Sequence, residues 1–196
     1  MIAVIDYGAG NLYSVTNALD LFGTEYRLAR GPEDLAEASA ILLPGVGHFG
    51  QMMEALAARG LVQPLHEKLS ANVSYMGICL GMHALYEASE EAPGLAGLGL
   101  LKGRVLKFPP GEKTPHMGWS EVDGHSYYFA HSYYLPADAE GSAALARHGL
   151  DFTAIVRHAN LYGTQFHPEK SGAAGLALLK EWVNSCQQNA SSPAST

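Results

Sequence analysis

The segment Gly77-Ile78-Cys79-Leu80-Gly81 leaves few ways for the chain around it to fold. Val73 to Ile78 is β-prone, and Met82 to Ala88 is helix-prone. The pattern predicts a strand that turns abruptly into a helix with a thiol at the apex. Glycines two residues before and two after the cysteine suit so tight a turn, because larger side chains would collide with adjacent backbone. A thiol at a helix N-terminus meets unpaired N–H groups and the positive end of the helix dipole, which favour a thiolate. The Leu80 N–H can then point at an oxyanion forming on a bound carbonyl. The same five residues also fit a buried structural cysteine, since free cysteine is among the most buried residue types.

A second half-site lies far downstream. Leu161 to Phe166 reads as a strand and runs into His167-Pro168-Glu169. In extended chain, residues two apart project to the same side. His167 and Glu169 are therefore expected to enter one site, the carboxylate holding one ring nitrogen while the other faces the thiol. Nucleophile, base and orienting acid make a Cys79-His167-Glu169 triad.

The rest of the first half alternates. Ile2–Asp6 reads as a buried strand, and Leu12, Val15, Leu19 and Phe22 recur at helical spacing until Gly23. Tyr26–Leu28 and Ala40–Leu43 read as strands, Phe49–Ala58 and Leu61–Leu69 as helices. Such alternation predicts an α/β fold, a mostly parallel sheet flanked by helices, with ligands outside the carboxyl ends of the strands. From Leu100 to Phe166 the segments become short and β-rich, which predicts a mixed or antiparallel extension. Ala173–Val183 reads as the last helix, and residues 187–196 as a polar tail without fixed structure. The expected organisation is one domain over residues 1–186 followed by that tail.

Composition removes several function classes. Twelve basic residues against 19 acidic ones give a net charge of −7 and no Lys/Arg cluster, which argues against nucleic acid or an anionic membrane as partner. Two cysteines do not make a disulfide framework, and a reactive thiol suits a reducing compartment. Met1 to Asp6 lacks a basic leader and no apolar run approaches membrane-spanning length, so a cytoplasmic location is expected. The nine histidines show no metal-ligand spacing. Tyr7-Gly8-Ala9-Gly10-Asn11 begins like a dinucleotide loop, but Tyr13 stands where the third glycine is required. No metal or cofactor is expected.

With Cys79, His167 and Glu169 in place, the chain resembles the class I (triad) glutamine amidotransferases. Asp6-Tyr7-Gly8-Ala9-Gly10-Asn11-Leu12, Pro44-Gly45-Val46-Gly47-His48-Phe49-Gly50, Pro115-His116-Met117-Gly118-Trp119, His131-Ser132-Tyr133 and His167-Pro168-Glu169-Lys170-Ser171-Gly172 narrow the likeness. They are similar to the glutaminase subunits of imidazole glycerol phosphate synthase, from the first strand to the last helix. The resemblance implies the three-layer fold of that class. It implies hydrolysis of glutamine to glutamate and ammonia. It also implies a heterodimer with a (β/α)₈-barrel cyclase, which uses the ammonia to convert PRFAR to imidazole glycerol phosphate and AICAR in histidine biosynthesis.

Roles for further residues follow from the resemblance alone. The Val46 peptide, able to rotate in its Gly-rich loop, supplies a second oxyanion donor beside Leu80. Gly47, Glu91 and the backbone of His131, Ser132 and Tyr133 bind glutamine, with Glu91 on its α-ammonium. Asn11, Trp119, Tyr128 and Lys170 face or signal to the partner. One position departs from the pattern: His83 stands four residues after the nucleophile, where the family usually has a substrate-holding Gln. An imidazole can still donate or accept a hydrogen bond there. Sister glutaminases serving pyridoxal phosphate, anthranilate or aminodeoxychorismate synthesis share the triad but fit Val46-Gly47 and Lys170-Ser171-Gly172 less well. A Cys-His-acid α/β-hydrolase would take its acid from a loop upstream of the histidine. A catalytically silent relative is a third alternative.

Overall fold

The computed structural model describes residues 1–8 and 12–191. Strand and helix alternate through β1 (Ile2–Ile5), α1 (Leu12–Leu21), β2 (Tyr26–Ala29), β3 (Ala40–Gly45), α2 (Phe49–Ala58), α3 (Val62–Ser70) and β4 (Ser74–Cys79). One helical turn, α4 (Leu80–His83), follows β4 directly. The β-rich part comprises β5 (Tyr86–Ser89), β6 (Leu101–Lys107), β7 (His116–Val122), β8 (His125–His131), β9 (Tyr133–Tyr134), β10 (Ser142–His148), β11 (Leu150–His158) and β12 (Leu161–Thr164). The last helix, α5, spans Gly172–Ser191. No helix among the described residues is long and apolar enough to cross a membrane.

The main sheet has seven strands in the order β10-β11-β12-β4-β3-β1-β2. The five strands from β12 to β2 run parallel, and β11 and β10 extend the sheet antiparallel. Period-two alternation divides the apolar side chains between the two faces. Ala3, Ile5, Ile41 and Leu43 pack under Phe49, Met52 and Leu56 of α2 and Leu65 and Leu69 of α3. Ile2, Val4, Ala40 and Leu42 face Val15 and Leu19 of α1 and Leu179, Trp182 and Val183 of α5. Each fully buried Leu, Ile or Phe contributes about 1.5–3 kcal/mol of transfer free energy, so this central sandwich carries much of the hydrophobic stabilisation. A third cluster, with Phe108, Tyr127, Phe129, Phe152 and Phe166, joins the β7–β8 hairpin to the antiparallel edge.

Two elements differ from the sequence expectation. Helix was expected from Met82 to Ala88, but it stops at His83 and Tyr86–Ser89 pairs with β6 as a strand. Ladder pairing and burial of Tyr86 outweigh the local helix propensity of Ala84 and Leu85. Because α4 is a single turn, it carries little of the dipole expected behind the thiol. At the other end, α5 continues beyond Val183 to Ser191, so residues 187–191 of the expected tail are helical.

Candidate active site

Cys79 caps α4 with φ 53° and ψ −107°, a left-handed conformation that non-glycine residues seldom hold. Its neighbours explain how the strain is kept. A Cβ on Gly77 would overlap the Gly81 carbonyl, and one on Gly81 would overlap the Leu43 carbonyl of β3. Backbone therefore closes on backbone at both flanks of the cysteine, and only glycine permits it.

Strand β12 lies beside β4 in parallel register, Gly163 opposite Gly77 and Thr164 opposite Ile78. That pairing carries His167 to the same end of the sheet as Cys79. The Nδ1 of His167 lies 2.9 Å from Oε1 of Glu169, and both side chains are almost wholly buried. Glu169 arrives there on a 3₁₀ turn, Pro168–Lys170, and not in extended chain as the two-residue spacing suggested. The outcome is the same because Pro168 opens the turn directly after His167. The other carboxylate oxygen, Oε2, is buried without a hydrogen-bond partner among the described residues, which leaves the charge directed at the imidazole.

Burial by itself would lower the basicity of His167. Hydrogen bonding to Cys79 and Glu169 and their negative charge outweigh it, raising the imidazole pKa to about 9. With Nδ1–H donated to Glu169, Nε2 is the nitrogen free to exchange a proton with sulfur.

Cys79 and His167 open on a cavity of about 230 Å³. Its wall also carries Val46, Gly47, Leu80, His83, Glu91, His131, Ser132, Tyr133 and Lys170. The expected oxyanion and substrate residues thus gather around one space, large enough for an amino-acid side chain and its α-substituents. The Glu91 Oε2 also accepts the Phe49 N–H at the start of α2, 2.9 Å away, so its carboxylate is tied to that helix. Asn11 lies outside the described residues.

Trp119 and Tyr128 lie off the cavity, opposite one another in the β7–β8 hairpin with ring centroids 6.1 Å apart. Met117 and Trp119 project from one face of the hairpin, 63% and 59% exposed. The hairpin is tied to His167, whose backbone N–H donates to the Tyr128 carbonyl at 2.9 Å. The Tyr128 N–H donates in turn to Ser171 Oγ, whose hydroxyl donates to the His167 carbonyl at 2.6 Å.

The structure also brings in groups that a one-dimensional reading does not single out. Gln165, Tyr7 and Ser171 all touch residues of the site or of its loops. Gln165 alone left a signal, standing two residues before His167 and so on the same side of the chain. Behind the wall, His131 donates through Nδ1 to the Tyr133 carbonyl at 2.8 Å and meets His116 at 3.0 Å. The His116 ring stacks on His148 with centroids 4.2 Å apart. Among the described residues no cluster of His, Cys, Asp or Glu is arranged to hold a metal ion.

A strained elbow thiol, a buried His-Glu pair and an α/β sheet that presents both at one end of its strands define a class of protein. The chain belongs to the glutamine amidotransferase class-I family, whose model matches residues 3–185. Solved structures share the fold: one titled as a glutamine amidotransferase superposes with a TM-score of 0.78 at 22% identity, covering 95% of this chain and 98% of that one. The particular relatives are narrower. The chain is 41% identical to the imidazole glycerol phosphate synthase subunit HisH of Methanothermobacter thermautotrophicus, over 93% of this chain and 98% of that protein. It is 44% identical to the HisH subunit of Thermus thermophilus, over 90% and 93% respectively.

Proposed function

We propose that this chain is the glutaminase subunit of imidazole glycerol phosphate synthase, with Cys79, His167 and Glu169 as its catalytic triad. It hydrolyses glutamine and passes the ammonia to a cyclase subunit in histidine biosynthesis. The observation that carries the reading is the meeting of an elbow thiol and a Glu169-bound imidazole at one cavity. Its extension to a synthase rests on the HisH relatives, each named as a subunit.

The reaction begins with the proton of the Cys79–His167 pair on the imidazole, consistent with its raised pKa. Sulfur attacks the side-chain carbonyl carbon of glutamine. The oxyanion draws on the N–H groups of Leu80 and Val46, each such donor being worth about 3 kcal/mol. Protonated His167 hands its proton to the departing nitrogen, and ammonia leaves. The same imidazole then accepts a proton from water as the hydroxide adds to the thioester, and glutamate is released. Glu91 and the backbone from His131 to Tyr133 hold the α-ammonium and α-carboxylate.

The acceptor chemistry takes place on the partner, a (β/α)₈-barrel cyclase that converts PRFAR to imidazole glycerol phosphate and AICAR in the cytoplasm. Docking is placed on the exposed Met117 and Trp119 and on Asn11, with Lys170, beside Glu169, relaying it to the cavity. The test is glutamate release by the chain alone, with the cyclase, and with cyclase plus PRFAR. Glutamine turnover that rises at each step supports the assignment. No turnover in any mixture of folded proteins overturns it.

A further inference from the structure

Gln165 is wholly buried, and its side chain spans two residues of the site. Its Nε2 lies 3.6 Å from the Cys79 sulfur, and its Oε1 lies 2.8 Å from Nε2 of His83. Its backbone N–H donates to the Ala154 carbonyl at 2.9 Å, extending the β11–β12 ladder and holding the residue beside the elbow.

We propose that Gln165 donates a hydrogen bond to the Cys79 sulfur that stabilises its thiolate, and that His83 is the positioning residue that holds the amide in the donating orientation. The proposal rests on the reading of Cys79 as nucleophile, and it moves His83 from a contact with glutamine to a contact behind the sulfur.

The hydrogen-bond inventory fixes the arrangement. A primary amide has donors on nitrogen only and acceptors on oxygen only. Turned the other way, Gln165 would set a carbonyl oxygen against an anionic sulfur. In the observed orientation Oε1 can only accept, so His83 must carry its proton on Nε2. Burial lowers the His83 pKa to about 4, so near neutral pH the ring has a single proton to give. Its Nδ1 is correspondingly bare and has no hydrogen-bond partner among the described residues.

The contact matters most when sulfur is an anion without a bond to carbon. That condition holds before attack and again in the second half of the reaction. There water adds to the thioester carbonyl and gives its proton to His167. The tetrahedral carbon then expels sulfur, the electron pair of the C–S bond passing to the thiolate. A preset N–H near the sulfur lowers the cost of that departure, since hydrogen bonds to ionised acceptors are the stronger ones.

The test uses the full chain without glutamine or partner, with iodoacetamide as probe and peptide mapping to read modification of Cys79 alone. Gln165→Leu should slow alkylation at pH 7 by about tenfold or more, the usual scale for loss of a hydrogen bond to a charged group. The deficit should close at alkaline pH. His83→Leu should reproduce a smaller version of this profile, and His83→Gln, which restores an N–H donor to Oε1, should return it to the wild-type curve. In glutamine hydrolysis Gln165→Leu and His83→Leu should lower kcat with little change in KM, and His83→Gln should restore kcat. A wild-type alkylation profile in folded Gln165→Leu and His83→Leu overturns the proposal, as does a His83→Leu defect confined to KM for glutamine. Because the alkylation readout needs no substrate, its failure remains distinct from failure of the glutaminase assignment.

Discussion

The hydroxyl of Tyr7 stands 3.3 Å from the Val46 amide nitrogen and 3.4 Å from the Val46 carbonyl oxygen. One phenol therefore engages both polar atoms of the residue proposed as the second oxyanion donor. While the Val46 N–H is spent on Tyr7, it is not available to a tetrahedral intermediate. Tyr7 directly follows Asp6 after β1, so the cavity loop is latched to the end of that strand. Tyr7→Phe should raise glutaminase turnover of the isolated chain by about tenfold, a fraction of the 10²–10³ that a full oxyanion donor supplies. Partner-stimulated turnover should change little. Steady-state glutamate release in both conditions decides it, and an unchanged or lower rate for the isolated variant removes Tyr7 from control of the Val46 N–H.

Replacing Cys79 by Ala or Ser should abolish glutamine-dependent synthesis while free ammonia still supports the assembled synthase. The substitution deletes thioester formation and leaves the acceptor site on the other polypeptide intact. Product formation from each nitrogen source is the measurement, and near wild-type use of glutamine by Cys79→Ala would end the nucleophile assignment.

Stability should respond to pH in two opposed ways. His167, with its pKa raised to about 9, is more protonated in the folded than in the unfolded chain. Its contribution is complete below pH 6.5 and fades as pH climbs through 9. His83 and His116, lowered by burial to about 4, behave oppositely: their contribution is complete above pH 6.5 and is lost as pH falls through 4. His131 is pushed down by burial as well and adds to the acid limb. Thermal unfolding from pH 7 down to pH 4 should therefore show a steep loss of Tm that is shallower in His83→Gln. Parallel acid limbs for the two proteins would refute this account of His83.

The β7–β8 hairpin offers a test of coupling. Trp119→Ala should weaken cyclase binding by about tenfold or more, on the scale of an exposed aromatic that becomes an interface anchor. Lys170→Ala should leave thermal stability nearly intact and cut the stimulation by cyclase and PRFAR. Binding isotherms and stimulated-to-basal turnover ratios separate the two effects. Full stimulation of Lys170→Ala would remove it from the signalling route.

The site was legible wherever local sterics and chemistry coincide in a few consecutive residues. Gly77, Cys79 and Gly81 declare an elbow because the backbone contacts at the two glycines exclude any side chain. His167 and Glu169 declare a paired imidazole and carboxylate, although the turn that joins them is 3₁₀. What stayed hidden depends on partners distant in sequence. Tyr86–Ser89 is a strand only because β6 lies next to it. His116, His131 and His148 look scattered along the chain, yet three strands bring their rings together. Gln165 shares a side of the chain with His167, but its amide contacts appear only when the elbow and His83 close around it.

The insertion of β12 between β4 and β11 bears on the order in which the protein comes into being. A chain emerging from the ribosome presents Cys79 and its elbow sequence well before it presents His167. The strand that leads to His167 follows all the other strands in chain order and fills an interior slot of the sheet. A nascent or prematurely terminated chain that stops short of β12 consequently has Cys79 without His167 and a sheet with an interior position unfilled. On the proposed assignment, the imidazole and the strand that fills the sheet are made together, ahead of α5, and a chain cut before them would lack glutaminase activity.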